Sequence, residues 1–218
     1  MHEHKWQKQE RMLKDDFKYF YYQCSLCHDV KYPAPELQKI FDYKKEHLFL
    51  TVPDVALLLL FVGAKYPEYH DNPLKNYIPG ITFYQKLMFL FYKEIAPEYE
   101  IPTENPGFYG YKYGPYSDKI DNSIHVLIES DLIKTIGRKS TKKEKFYLTE
   151  KGIAKGKEIF NKLSSNQKNR IIEFRLRWDE KKLVGLKKYV YSRYKEYTNK
   201  SVILDELFPG RKLFRRRG

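Results

Sequence analysis

The stretch from Gly110 to Gly152, GYKYGPYSDKIDNSIHVLIESDLIKTIGRKSTKKEKFYLTEKG, decides the fold. Gly114-Pro115 predicts a turn. Ser117 with Asp118 predicts a helix start, because short side-chain oxygens accept hydrogen bonds from the free amides of a first turn. Ile120, Ile124, Leu127 and Ile128 recur at helical spacing, and Leu132 and Ile133 continue the apolar run. One face is therefore buried, and the other carries Asp118, Asp121, Asn122, His125 and Glu129. Leu132 to Ile136 and Lys145 to Thr149 read as strands. Between them, Gly137 to Glu144 is a polar hairpin tip with Arg138, Lys139, Lys142 and Lys143. Thr149 then caps a second helix carrying Ile153, Ile159, Phe160 and Leu163.

Turn, helix, strand, basic hairpin and strand is the layout of a winged helix. The expected fold is mainly α with a small β-hairpin: a winged helix-turn-helix domain over 51–163 with N-terminal and C-terminal helical extensions. Thr51, Pro53 and Asp54 suit a helix start, and Val55 to Val62 is apolar all round, as in a central core helix. Lys65 to Gly80 holds Pro67, Pro73, Pro79 and Gly80 and reads as broken structure. Thr82 is placed to cap a helix in which Phe83, Leu87, Leu90, Phe91 and Ile95 share an apolar face, ending at Pro97. Glu98 to Gly110, with Pro102, Pro106 and Gly107, is expected to be an ordered loop. Ser164-Ser165-Asn166 starts the C-terminal helices of 164–208, with an interruption near Asp179. Residues 209–218 form a basic tail.

Residues 1–50 are read as a helical arm. The aromatic cluster from Phe17 to Tyr22 begins a helix that Pro33 and Pro35 end, and Glu36 to Phe41 restarts one. Cys24, Cys27 and His28 form C-S-L-C-H. Covalent haem attachment has this spacing but belongs to exported proteins, and the N-terminus lacks the apolar segment of a signal peptide. Half of a zinc site, completed by His28 or by His2 and His4, is a second reading. Two thiols packed in a helix as small hydrophobes is the third. With no second CxxC, no cofactor is expected, zinc at Cys24, Cys27 and His28 being the alternative.

Composition bounds the function. The chain has 218 residues, 42% apolar, enough for one large domain or a domain with a helical extension. No apolar run approaches the roughly 20 residues that span a bilayer, so a cytoplasmic protein without membrane contact is expected. Two cysteines make no disulfide framework. The net charge of +13 and pI of about 9.4 favour a polyanionic partner over a merely lysine-rich background composition. No enzyme is expected, because no phosphate-binding glycine loop, GxSxG or HExxH is present. His70-Asp71 and Asp179-Glu180 are the nearest catalytic-looking pairs and read as loop and helix-surface residues.

The order I-T-F-Y-Q-K-L-M-F-L-F, F-Y-G-Y-K-Y-G-P-Y-S, I-H-V-L-I-E-S-D-L-I and F-Y-L-T-E-K-G, after a core helix, resembles the YwgA-type winged-helix proteins of archaea and bacteria. More distantly it resembles the Panacea (SocA-like) antitoxin domains. Y-V-Y-S-R-Y-K-E-Y-T-N-K-S resembles the closing helix of the same proteins, so the likeness runs over roughly residues 53 to 204. It implies a winged helix, and for function a transcriptional regulator.

In a winged helix on duplex DNA the third helix enters the major groove and the hairpin tip contacts the backbone. Ser117, Lys119 and Asn122 would then face the groove. Arg138, Lys139, Lys142, Lys143 and Lys145 would lie near phosphates, with Arg215, Arg216 and Arg217 adding contacts from the tail. Against this, Asp118, Asp121, Glu129 and Asp131 make the helix acidic, and the usual arginine for guanine is missing. The expected function is therefore DNA binding through a lysine-rich wing, with a homodimer through the C-terminal helices. The alternative is a non-enzymatic, antitoxin-like or scaffold module whose acidic third helix meets a protein. Tyr109, Tyr111, Tyr113 and Tyr116 alternate as in β-structure; they either pack a face or stack bases of a single strand.

Overall fold

The architecture is that of a computed structural model, which describes residues 3, 5–12, 17–25, 30–46, 48–65, 77–138 and 143–208. The chain opens as a sheet. Strands β1 (Trp6–Met12) and β2 (Lys18–Cys24) pair antiparallel, Trp6 opposite Cys24 through Met12 opposite Lys18, and β3 (Val30–Lys31) adds to the far side of β2. This corrects the expectation of a helical arm over 1–50. Tyr19 and Tyr21 point inward, while Lys18 and Tyr22 point out, a period of two that belongs to a strand. Helix α1 (Ala34–Glu46) closes over the inner face, so that Tyr19, Tyr21, Ile40, Tyr43 and Phe49 form a small core of their own. Cys24 ends β2, buried, and is not in a helix. Cys27 and His28 lie outside the described residues, as do His2, His4, His70 and Asp71.

The main core is built around α2 (Val52–Lys65), whose residues from Val55 to Val62 are all buried. Its first turn is closed by Thr51 and Asp54, which exchange hydrogen bonds: the Thr51 amide donates to Asp54 Oδ2 at 2.9 Å and the Asp54 amide to Thr51 Oγ1 at 3.4 Å. After the short strand β4 (Ile78–Pro79), helix α3 (Gly80–Leu90) starts at Gly80 and not at the expected Thr82 cap, its N-cap Pro79 providing no side-chain bond. The helix ends one residue past the expected Pro97: a π-helical turn (Phe91–Ile95) and α4 (Ala96–Glu98) carry the helical path through to Glu98.

The expected loop follows, ordered by a parallel bridge between Leu50 and Thr103. A tyrosine hairpin comes next, β5 (Tyr109–Tyr111) and β6 (Gly114–Tyr116), turning at Lys112-Tyr113 rather than at Gly114-Pro115. Helix α5 (Asp118–Glu129) begins as expected, with Ser117 Oγ accepting from the Ile120 amide at 3.3 Å. Strands β7 (Ile133–Ile136) and β8 (Lys145–Leu148) pair antiparallel, and β4 adds on the other side of β8 to give the order β4-β8-β7. Gly137, with φ of +94°, turns the chain out of β7; a Cβ there would sit 2.1 Å from the Lys143 carbonyl oxygen, which excludes any other residue.

Thr149 caps α6 (Glu150–Asn161) by accepting from the Gly152 amide at 3.0 Å, and Ser164 with Gln167 forms a capping box for α7 (Ser165–Arg193). The interruption expected near Asp179 lies at Lys182, where φ of 55° and ψ of −177° kink the helix. Asp179 is not a helix-surface residue: it pairs with Arg175, whose side chain is fully buried against α2. A 3-10 turn and α8 (Leu204–Leu207) end the described chain. The fold is thus largely helical with small antiparallel sheets, and among the described residues no helix is long and apolar enough to cross a membrane.

Candidate nucleic-acid interface and the cavity beside it

Of the three residues expected to face DNA from α5 and its cap, two are committed elsewhere. Ser117 is 0% exposed: its hydroxyl donates to the Pro106 carbonyl, its amide donates to Gln85 Oε1 at 3.0 Å, and Gln85 Nε2 donates back to its carbonyl at 2.9 Å. It fastens the start of α5 to α3 and is withdrawn as a DNA contact. Lys119 is withdrawn as well, because its ammonium donates to Glu104 Oε1 at 2.7 Å and sits 4.7 Å over the Tyr32 ring. Asn122 is exposed, but its neighbours on that face are Asp118, His125, Glu129 and Val126, the last 52% exposed. A face of this composition repels phosphate and offers few base-reading donors.

The hairpin is different. Lys134, Arg138 and Lys143 are exposed along β7 and the flanks of the tip, and Lys145 is half-buried with its ammonium 4.4 Å over the Tyr77 ring. Lys139 and Lys142, at the tip, lie outside the described residues, as do Arg215, Arg216 and Arg217. Of the tyrosines, Tyr109, Tyr111 and Tyr116 contact one another with centroids 5.4 to 6.1 Å apart, while Tyr111 and Tyr113 remain exposed.

These exposed rings rim a cavity of about 360 Å³ enclosed by the start of α3, the tyrosine hairpin, the foot of the β7–β8 hairpin and α7. Two buried ionisable groups stand in its wall. Lys86 is 2% exposed and donates to the Pro115 carbonyl oxygen at 2.6 Å, the one hydrogen bond it makes among the described residues. Glu144 is 3% exposed, and its Oε2 has no hydrogen-bond partner among them. Glu144 also borders a second cavity, of about 410 Å³, between α5 and the β7–β8 hairpin. Sequence reasoning missed both groups. It left Lys86 outside the apolar face of Phe83, Leu87, Leu90, Phe91 and Ile95 and put Glu144 in a polar hairpin tip. The signal for Lys86 was the near-continuous apolar run from Phe83 to Phe91, which buries every residue in it, Gln85 and Lys86 included.

Burial, and secondarily the charge of Lys187, pushes the Lys86 amine down to about 7. Unfolded lysine titrates near 10.4, so between these values the unfolded chain holds a proton that the folded chain lacks, and stability rises with pH. Denaturant unfolding between neutral pH and about pH 9, below the range where tyrosines ionise, is expected to show this rise. Lys86→Met should flatten it by up to about 1.4 kcal/mol per pH unit. Parallel profiles for the two proteins would show that Lys86 is not the titrating group.

No group of three or more His, Cys, Asp or Glu is placed to hold a metal ion among the described residues. No protein-family model matches the chain, and no curated protein matches it in sequence.

Proposed function

We propose that the protein is a winged-helix DNA-binding regulator that grips the phosphate backbone with its wing and does not read bases with α5. One observation carries this reading: the three-stranded order β4-β8-β7, in which β4 precedes α3, α5 leads directly into β7, and the β7–β8 connection carries exposed cations. A winged helix has this strand order, which supports the reading, as does the presence of Lys134, Arg138 and Lys143 on one hairpin. Each phosphate neutralised by such a cation releases counterions, so affinity falls with salt. Pairing of two chains through α7, where Val184 stands exposed, would present two wings to one duplex.

Anisotropy of a labelled duplex across a salt series tests it. Binding is expected to weaken steeply with salt. Arg138→Glu with Lys143→Glu should reduce affinity about tenfold at low salt and flatten the slope by about two phosphate contacts. Unchanged affinity and slope in this variant would rule out the wing.

A second reading is favoured by the surface of α5. Val126 stands exposed among Asp118, Asn122 and Glu129, an apolar residue in an acidic surround that suits a basic protein partner better than DNA. A wild-type chain with no salt-dependent duplex binding would favour this non-enzymatic interaction module.

A further inference from the structure

The cavity beside the wing holds two buried groups that the fold leaves incompletely satisfied. Lys86 has more than one N–H donor and spends one on Pro115; Glu144 has a buried carboxylate oxygen with no hydrogen-bond partner among the described residues. The two are not each other's partner, since no ion pair within 4.0 Å joins them among the described residues. A buried donor or acceptor left unmade costs about 1–3 kcal/mol, more when charged, so a wall carrying one of each is poorly explained by packing. Both line the same space of about 360 Å³, within the range of small-molecule sites.

The surroundings of each group define what fits. Near Lys86 the wall continues with Lys187 and with Gly80, Ile81 and Thr82, the first turn of α3. That turn has no side-chain cap, and the positive end of the α3 dipole there reinforces the two lysines as an anion site. The Lys187 cation, the Lys86 amine and a helix terminus together match a doubly charged phosphate better than a single carboxylate. Toward the mouth, Tyr111 and Tyr113 are 43% and 49% exposed, and Tyr116 with Leu183 continues the wall. Rings held this way offer faces for a flat aromatic body. Glu144 then supplies an acceptor for N–H groups on the edge of that body.

We propose that this cavity binds a purine nucleoside monophosphate, its phosphate held by Lys86, Lys187 and the first turn of α3, its base stacked on the tyrosine hairpin and hydrogen-bonded to Glu144. The site goes beyond the DNA-binding reading and does not depend on it.

Calorimetric titration of the full chain with GMP, AMP, guanosine and inorganic phosphate tests the assignment. One or both nucleotides are expected to bind, and guanosine to bind about tenfold more weakly or worse for loss of the charged contacts. Lys86→Met should weaken the nucleotide about tenfold or more, and Glu144→Gln by a smaller factor. Tyr113→Ala, at a rim position the core does not need, should weaken it severalfold. If Lys86→Met fails to fold, Lys187→Ala takes its place, with the same expectation of weaker phosphate-dependent binding. The assignment is overturned if neither nucleotide binds the wild-type chain, if phosphate alone binds as tightly as the nucleotides, or if the rim and lysine variants bind like wild type. No DNA enters this experiment, so its failure leaves the wing proposal standing, and loss of duplex binding leaves this one standing.

Discussion

Replacing Arg175 with methionine is expected to lower the unfolding free energy by about 3–5 kcal/mol, the cost of breaking a buried charged network on one side. The Arg175 side chain is completely buried in α7. Its Nε donates to the Leu59 carbonyl of α2 at 3.1 Å, one terminal nitrogen donates to the Tyr77 carbonyl just before β4 at 3.0 Å, and the other pairs with Asp179 one turn along. Methionine fills most of the volume but donates nothing, leaving a buried carboxylate without its guanidinium. Arg175→Lys should recover little, because a single ammonium cannot serve three acceptors in a fixed fork. A shift in the urea midpoint at constant slope measures the loss. A change below about 1 kcal/mol would mean that water or a rearranged α7 replaces these bonds.

The second large effect is expected at Phe89. Its ring meets Phe108, Tyr194 and Tyr197 edge-on, with centroids 4.9 to 5.0 Å away. Three separate parts of the chain converge there: α3, the loop before β5, and the end of α7 with the turn that follows. Phe89→Ala removes the common ring and leaves a cavity lined by aromatics that are themselves held at their far ends. Tyr194, for example, donates to Glu94 at 2.8 Å. Such a site collapses poorly, which places the expected loss at about 3–5 kcal/mol. Near-ultraviolet circular dichroism should register the loosened tyrosines. A variant as stable as Phe89→Leu would show that the site closes up.

Much of this architecture was legible in the sequence where one residue type performs one local task. Ser117, Thr149 and Ser164 each cap the helix expected of them, because a hydroxyl at a helix start acts within three residues and needs no tertiary context. The β7 and β8 strands and the apolar helix α2 were equally plain. The N-terminal strands were not. In β2 the outward positions Phe20 and Tyr22 are as aromatic as the inward Tyr19 and Tyr21, which erases the polar-apolar alternation that marks a strand. The candidate sites suffered most. Hydrophobic patterning assigns lysine, arginine and glutamate to the surface, so Lys86, Glu144 and Arg175, all buried, were invisible to it. Ser117 was misassigned for the opposite reason: its cap role was legible, but the Pro106 and Gln85 contacts that bury it come from residues 11 and 32 positions away.

The Glu104 carboxylate changes what the first 50 residues mean for the rest of the chain. One oxygen accepts from the Val52 amide at the start of α2, the other from Lys119 of α5, and the Glu104 amide donates to Leu50, where the N-terminal sheet hands over to the helices. Lys119 in turn lies over Tyr32, beside that sheet. The sheet is therefore tied to α5 through this acidic joint, alongside the hydrogen bonds that Arg11 donates to Thr103 and that Tyr21 accepts from Asn105. A substitution that disturbs the packing of the N-terminal sheet therefore has a direct physical route to α5, the face on which the two functional readings diverge.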